Sequence, residues 1–207
     1  MSDRPDAVER FLRHPHGAAE WAADAVRGFG VVGVLIAAVW MTTMDAGILA
    51  LALPVLLVPR FVGVRAWFDI VFCGIVLLAT WSNVLDLYSS IARWDLLIHF
   101  VCTGAITAMG YLVLARLRIV PEPSRPLRRM PLVLAPLIGL AASALWEMLE
   151  WIGWRFISSD IYVAYQDTIG DMVAGGLGGV AAGVLLASVP LLRDDSSSAG
   201  DDTSSAG

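Results

Sequence analysis

The sequence predicts an all-α fold, a polytopic membrane bundle of about six transmembrane helices, and three observations carry that prediction. Hydrophobic residues make up 57 % of the chain and charged residues 16 %, with a mean hydropathy of +0.71, far from a soluble average. Several apolar runs approach or exceed the roughly 20 residues that cross a hydrocarbon core. The basic residues are all arginine, and they crowd into alternate connections between the apolar runs, as the positive-inside rule expects of a multi-pass protein.

Taken in order, residues 1–27 mix arginines with acids and lack the apolar core of a cleaved signal. They read as a cytoplasmic, interfacial segment of short helices broken at Pro15, with Trp21 and Val26 on an apolar stripe. His14 and His16 in this polar stretch read as solvated side chains. A membrane domain over 28–192 follows. Its first helix is expected from about Gly28 to Thr43, with a tight turn at Asp45. A short second segment runs from about Ile48 to Val58, where Pro54 and Pro59 kink or end it. The third helix is expected over 67–87, the fourth over 95–117, the fifth over 131–156 and the sixth over 167–192. The loop 116–129 is basic and proline-rich and cannot be helical throughout. Residues 193–207, an acidic Ser/Asp/Gly tail, are expected to be disordered.

With six spans, twelve arginines fall on one side and only Arg93 and Arg155 on the other, which puts both termini in the cytoplasm of a cell (plasma) membrane protein. No dense basic stripe with interleaved aromatics speaks for nucleic acid, and no nucleotide loop or other organic-cofactor signal is present. The lipid bilayer is the expected partner. Cys73 and Cys102 lie in apolar runs and read as buried free thiols. Six tryptophans near the arginine-poor ends read mainly as an aromatic belt.

That same arginine-poor side gathers acids. Asp95 and His99 stand four residues apart at the start of the fourth helix. Glu147 and Glu150 stand one turn apart near the end of the fifth, and Asp167 and Asp171 open the sixth. Asn83 and Asp86, at the end of the third helix, are supporting candidates. A charge in the bilayer interior costs at least about 2.5–3.5 kcal/mol, so such groups pair, protonate or line water. Two arginines cannot neutralise the set, which points to a bound cation, shared protons or a cationic ligand. Carboxylates with one imidazole suit Zn, Mn, Fe or Mg, and Glu147 or Glu150 is then the candidate general base for a metal-bound water. A helix N-terminus stabilises carboxylates at Asp95 and Asp167 without any ligand, but the dipole disfavours Glu147 and Glu150 near a C-terminus. A purely structural hydrogen-bond network stays open beside the functional readings.

The motifs Trp94-Asp95-x-x-x-His99-Phe100 with Gly104, Trp146-Glu147-x-x-Glu150-Trp151 and Asp167-Thr-x-x-Asp171-Met, over residues 94–185, resemble the YjdF family of bacterial inner-membrane proteins. Their order is also similar to VanZ-like membrane proteins, which tend to carry glutamine at the position of Glu150 and asparagine at that of Gly175. The resemblance implies a site shared by Asp95, His99, Glu147, Glu150, Asp167 and Asp171 and supplies no reaction. Three functions follow as expectations. The first is an outward-facing metal site acting on a lipid or envelope component. The second is a proton- or cation-coupled transporter, which the apolar inner halves of the last three helices disfavour. The third is an integral scaffold.

Overall fold

A computed structural model describes residues 6–123, 127, 129–158, 161 and 163–193. The expected disorder of the tail beyond residue 193, and the positions of Arg4, Arg125, Arg128 and Asp160, lie outside the described residues. A short α1 (Ala7–Leu12) ends before Pro15. Among the described residues, six long helices are apolar enough to cross a membrane: α2 (Ala18–Trp40), α3 (Thr43–Val62), α4 (Ala66–Val84), α6 (Trp94–Arg116), α7 (Arg129–Phe156) and α8 (Tyr165–Ser188). A one-turn α5 (Leu87–Ser90) joins α4 to α6. Many of their large apolar side chains point outward, Leu51 and Val133 among them, as contact with lipid requires. Both cysteines are free thiols.

Three helix boundaries differ from the sequence reading for identifiable reasons. Helix α2 begins at Ala18, ten residues before the expected start, because its charged side chains find partners. Arg27 lies buried against Asp69 of α4, with Nη2 2.6 and 2.7 Å from the two carboxylate oxygens. Asp24 takes Arg27 and Arg60, and Glu20 takes Arg13 and Arg193. The arginine-rich end therefore holds its own cluster of acids, Glu20, Asp24 and Asp69. Asp45 is not in a tight turn. It is the third residue of α3, where its carboxylate accepts from Thr42 N at 3.0 Å while Thr42 Oγ1 accepts from Asp45 N at 3.2 Å, a capping box. That cap starts α3 early, and the helix runs through Pro54 and Pro59 to Val62, a full-length span. Helix α8 stops at Ser188, short of Leu192.

Beyond α8 the chain pairs with the α3–α4 connection. Gly63 turns in the left-handed region at φ 74°, and Val64 forms an antiparallel bridge with Leu192. Arg65 N donates to the Leu191 carbonyl (2.8 Å) and Arg193 N to the Gly63 carbonyl (3.1 Å). The described N- and C-terminal segments thus meet at the same end of the bundle. On the N-terminal side, Arg10 Nε donates to the Phe61 carbonyl and Arg60 Nε to the Phe11 carbonyl, while the rings of Phe11 and Phe61 stack at 4.3 Å.

The long helices form two sets. Helices α2, α3 and α4 pack together, α8 packs against both α6 and α7, and α4 meets α6 between the sets. The second set is tight because glycines remove the side chains that would separate its backbones. A Cβ on Gly178 would collide with the Phe100 carbonyl of α6, and one on Gly179 would lie 2.9 Å from the Ala135 carbonyl of α7. Gly178→Ala should therefore lower stability by about 1–3 kcal/mol through overpacking. Gly176→Ala, whose Cβ would make an ordinary 3.7 Å contact with Leu140, should not. Thermal midpoints of the two variants in detergent check this.

Candidate functional site

Three helix ends converge at the arginine-poor end of the second set. Helix α6 opens on Arg93, held in the left-handed region at φ 63° by the turn from α5, so Asp95 falls in the first turn. His99 stacks one turn below it, as the i, i+4 spacing dictates. The Asp95 Oδ1 and His99 Nε2 atoms are 3.4 Å apart. Asp171 of α8 approaches the same ring nitrogen, with Oδ2 at 3.9 Å, and Glu147 of α7 approaches the other, with Oε1 4.0 Å from Nδ1. The imidazole is thus flanked on both edges by carboxylates from three helices.

Ligand-capable atoms of Asp95, His99 and Asp171 lie within 4.8 Å of one another, and so do those of His99, Glu147 and Glu150. His99, Glu147 and Asp171 are buried, Asp171 to 2 % exposure, while Asp95 and Glu150 are half-buried. Glu150 accepts a hydrogen bond from Trp146 Nε1 at 2.7 Å. Glu147 Oε1 and Asp171 Oδ1 are buried without a hydrogen-bond partner among the described residues. Buried carboxylate oxygens are ordinarily paired, because leaving one unmade forfeits its hydration for nothing. No ion pair among the described residues brings Arg93 or Arg155 to the cluster; the Arg155 guanidinium lies over the Phe156 ring instead.

Five of the six motif residues therefore meet. Asp167, one turn nearer the mouth of α8 than Asp171, is half-buried and joins neither ligand group. Asn83 and Asp86 are exposed, and Asp86 joins neither ligand group. Asp86 sits in a left-handed turn at φ 54°, and its carbonyl accepts from the hydroxyls of Ser89 and Ser90. Of the tryptophans expected in the belt, Trp40, Trp146, Trp151 and Trp154 are exposed. Trp94 turns inward and donates to Ser82 Oγ at 2.9 Å.

Sequence reasoning missed the polar groups beneath the cluster. The inner half of α6 is not wholly apolar: Thr103, Thr107 and Tyr111 follow His99 at four-residue intervals and are buried with it. From α7, buried Ser143 donates to the Asp171 carbonyl at 3.1 Å and ties α7 to α8. A count of threonines at i+4 from His99 would have found the first group. Ser143 stands in an Ala-rich run and carries no such signal.

The family model for predicted membrane proteins named DUF2238 matches residues 21–190. No curated protein and no solved structure matches the chain. The matched stretch extends beyond the motif region to include most of α2 and the whole of α3 and α4, and it contains every residue of the carboxylate–histidine cluster. The chain belongs to the DUF2238 family of predicted membrane proteins.

Proposed function

We propose that the cluster binds a divalent cation and that the protein uses it on a lipid or envelope component. The observation that carries this reading is the pair of buried, unpartnered carboxylate oxygens, on Glu147 and Asp171, beside one imidazole flanked on both edges. A ring nitrogen can serve one ion only, so the geometry divides the work. Asp95, His99 Nε2 and Asp171 form the ligand side. Glu147, facing Nδ1, orients the ring, the usual role of a carboxylate behind a metal-bound histidine. Oxygen donors with one imidazole suit Zn or Mn, with Fe and Mg as further candidates. When bound, such an ion would lower the pKa of a coordinated water, and with Glu147 committed to the ring, Glu150 is the candidate to accept its proton. Asp167, nearer the mouth of α8, would serve approach of a cation more than its final coordination.

Half-exposed Asp95 and Glu150 near the helix ends support a cluster close to headgroup depth, and with it a lipid or envelope substrate over a soluble one. Arginine placement supports an outward-facing site, with the arginine-rich end and both termini in the cytoplasm of a plasma-membrane protein. The motif order that resembles YjdF and VanZ-like proteins supports the same five residues as a unit.

Metal analysis of the full-length protein purified in detergent tests the reading. The expected result is one divalent ion per chain and a lower thermal midpoint after chelation. A site loaded at 100 times its Kd adds about 2.7 kcal/mol to stability. Absence of stoichiometric metal together with an unchanged midpoint would overturn it. Glu147→Gln should weaken metal affinity about 10- to 100-fold, the effect typical of groups that orient a ligand, as read by titration with Zn or Mn.

A further inference from the structure

We infer that the face of α6 carrying His99, Thr103, Thr107 and Tyr111 is a proton path from the His99–Asp171 cluster towards the arginine-rich end of the bundle. These side chains recur every four residues, so they stack on one helix face. All are buried, Thr107 and Tyr111 completely. The distance from His99 to Tyr111 is about 18 Å at a rise of about 1.5 Å per residue, more than half of a hydrocarbon core of about 30 Å. Successive rungs are about 6 Å apart along the axis, close to the span of one water making two hydrogen bonds of about 2.8 Å. Ser143 adds a hydroxyl at the level of the first rung. A Cβ on Gly175 would lie 2.5 Å from Ser143 Oγ and 3.2 Å from Thr103 Oγ1, so both face the same bare stretch of α8. At the far end the Tyr111 hydroxyl donates to the Pro121 carbonyl, 3.0 Å away, in the segment after α6.

Thr107 separates a path from mere packing. Buried serine and threonine hydroxyls in helices ordinarily donate to a carbonyl one turn back. Thr80 and Ser82 of α4 do so, at 3.1 and 2.6 Å. Thr107 Oγ1 has no hydrogen-bond partner among the described residues, and neither has Asp171 Oδ1 at the head of the path. Both atoms keep unused hydrogen-bonding capacity.

Each hydroxyl or bridging water accepts one proton from behind and releases its own ahead, so a proton taken up beyond Tyr111 leaves at the arginine-poor end of α6, and the reverse sequence carries one back. Asp95, Glu147, Glu150 and Asp167 surround the head of the path, with the Tyr88 phenol and Cys102 nearby. Arg116 and Glu122, 3.7 Å apart, lie by its foot. The backbones of α6 and α8 touch at Gly104 and Gly178, so the path requires α8 to move aside before water reaches Thr107.

Full-length protein in phosphatidylcholine vesicles, with a trapped pH dye and a potassium diffusion potential set by valinomycin, tests the path. Proton uptake should exceed that of protein-free vesicles. Thr107→Val, which keeps the shape and removes the hydroxyl, should lower it about tenfold or more, and Thr107→Ser should restore it. Wild-type uptake equal to that of empty vesicles, or equal uptake by wild type and a folded Thr107→Val, would overturn the inference. If Thr107→Val does not fold, Thr103→Val decides by the same criterion. Zinc binding by Thr107→Val should equal wild type, so failure of the path and failure of the cation site are read separately.

Discussion

Asp171→Asn should remove the bound cation. The residue is 2 % exposed, its Oδ2 is 3.9 Å from His99 Nε2, and its other oxygen has no partner among the described residues. The amide keeps the shape of the side chain and discards the charge that a hard cation needs. Loss of a direct ligand should exceed the roughly 10- to 100-fold typical of an orienting group, so metal affinity should fall by at least about 100-fold. The same change removes one of four carboxylates crowded around a single imidazole, which relieves repulsion in the metal-free protein. The metal-free variant should therefore melt at or above the temperature of the metal-free wild type. A variant that keeps its metal, or that melts lower without metal, would mean that Asp171 holds the helices together and binds no ion.

Asp69→Ala should be the most destabilising single change in the other half of the molecule. Arg27 and Asp69 side chains are 10 % and 11 % exposed, and the guanidinium spans both carboxylate oxygens. Removing one partner of a buried pair strands the other, at a cost of about 3–5 kcal/mol. Arg27 would retain Asp24 at 2.9 Å and the Leu56 carbonyl at 2.9 Å, which places the expectation at the lower end of that range. Replacing both members, Arg27→Met with Asp69→Leu, should cost less than Asp69→Ala alone, because no charge is left behind. Thermal melts of both variants in one detergent, with circular dichroism to confirm helix content, make the comparison. If the double variant is the less stable of the two, the pair contributes more than the avoidance of a stranded charge.

Six spans were legible in the sequence because hydropathy over some 20 residues is a property of the chain itself. The start of α2 was not, for a reason that hydropathy cannot see. Glu20, Asp24 and Arg27 look like surface charges until Arg13, Arg60 and Asp69 are brought to them, and Asp69 is 42 residues from Arg27. The cluster at the other end was legible because spacing put Asp95 over His99, and alternating helix direction then put Glu147, Glu150 and Asp171 at the same depth. Asp167 and Asp171 could not be told apart in that way, since one turn of α8 separates mouth from interior. The threonines of α6 escaped notice because they barely disturb hydropathy, and burial alone shows that they face α7 and α8 rather than lipid.

The short pairing of residues 63–65 with 191–193 bears on how the bundle moves. It fastens the chain just beyond α8 to the connection between α3 and α4, in the region already stitched by arginines to backbone carbonyls. At the other end the Ser143–Asp171 hydrogen bond, a Thr168–Glu147 side-chain hydrogen bond and the looser carboxylate–histidine contacts join α8 to its neighbours. Helix α8 is therefore tied by backbone pairing at its foot and by side chains at its head. A tilt of about 10° over its roughly 36 Å length would shift Asp171 by several ångströms and leave Leu192 in place. A cation held as proposed by the carboxylate–histidine cluster would clamp the head, and its loss would let the glycine seam with α6 open from the site downward.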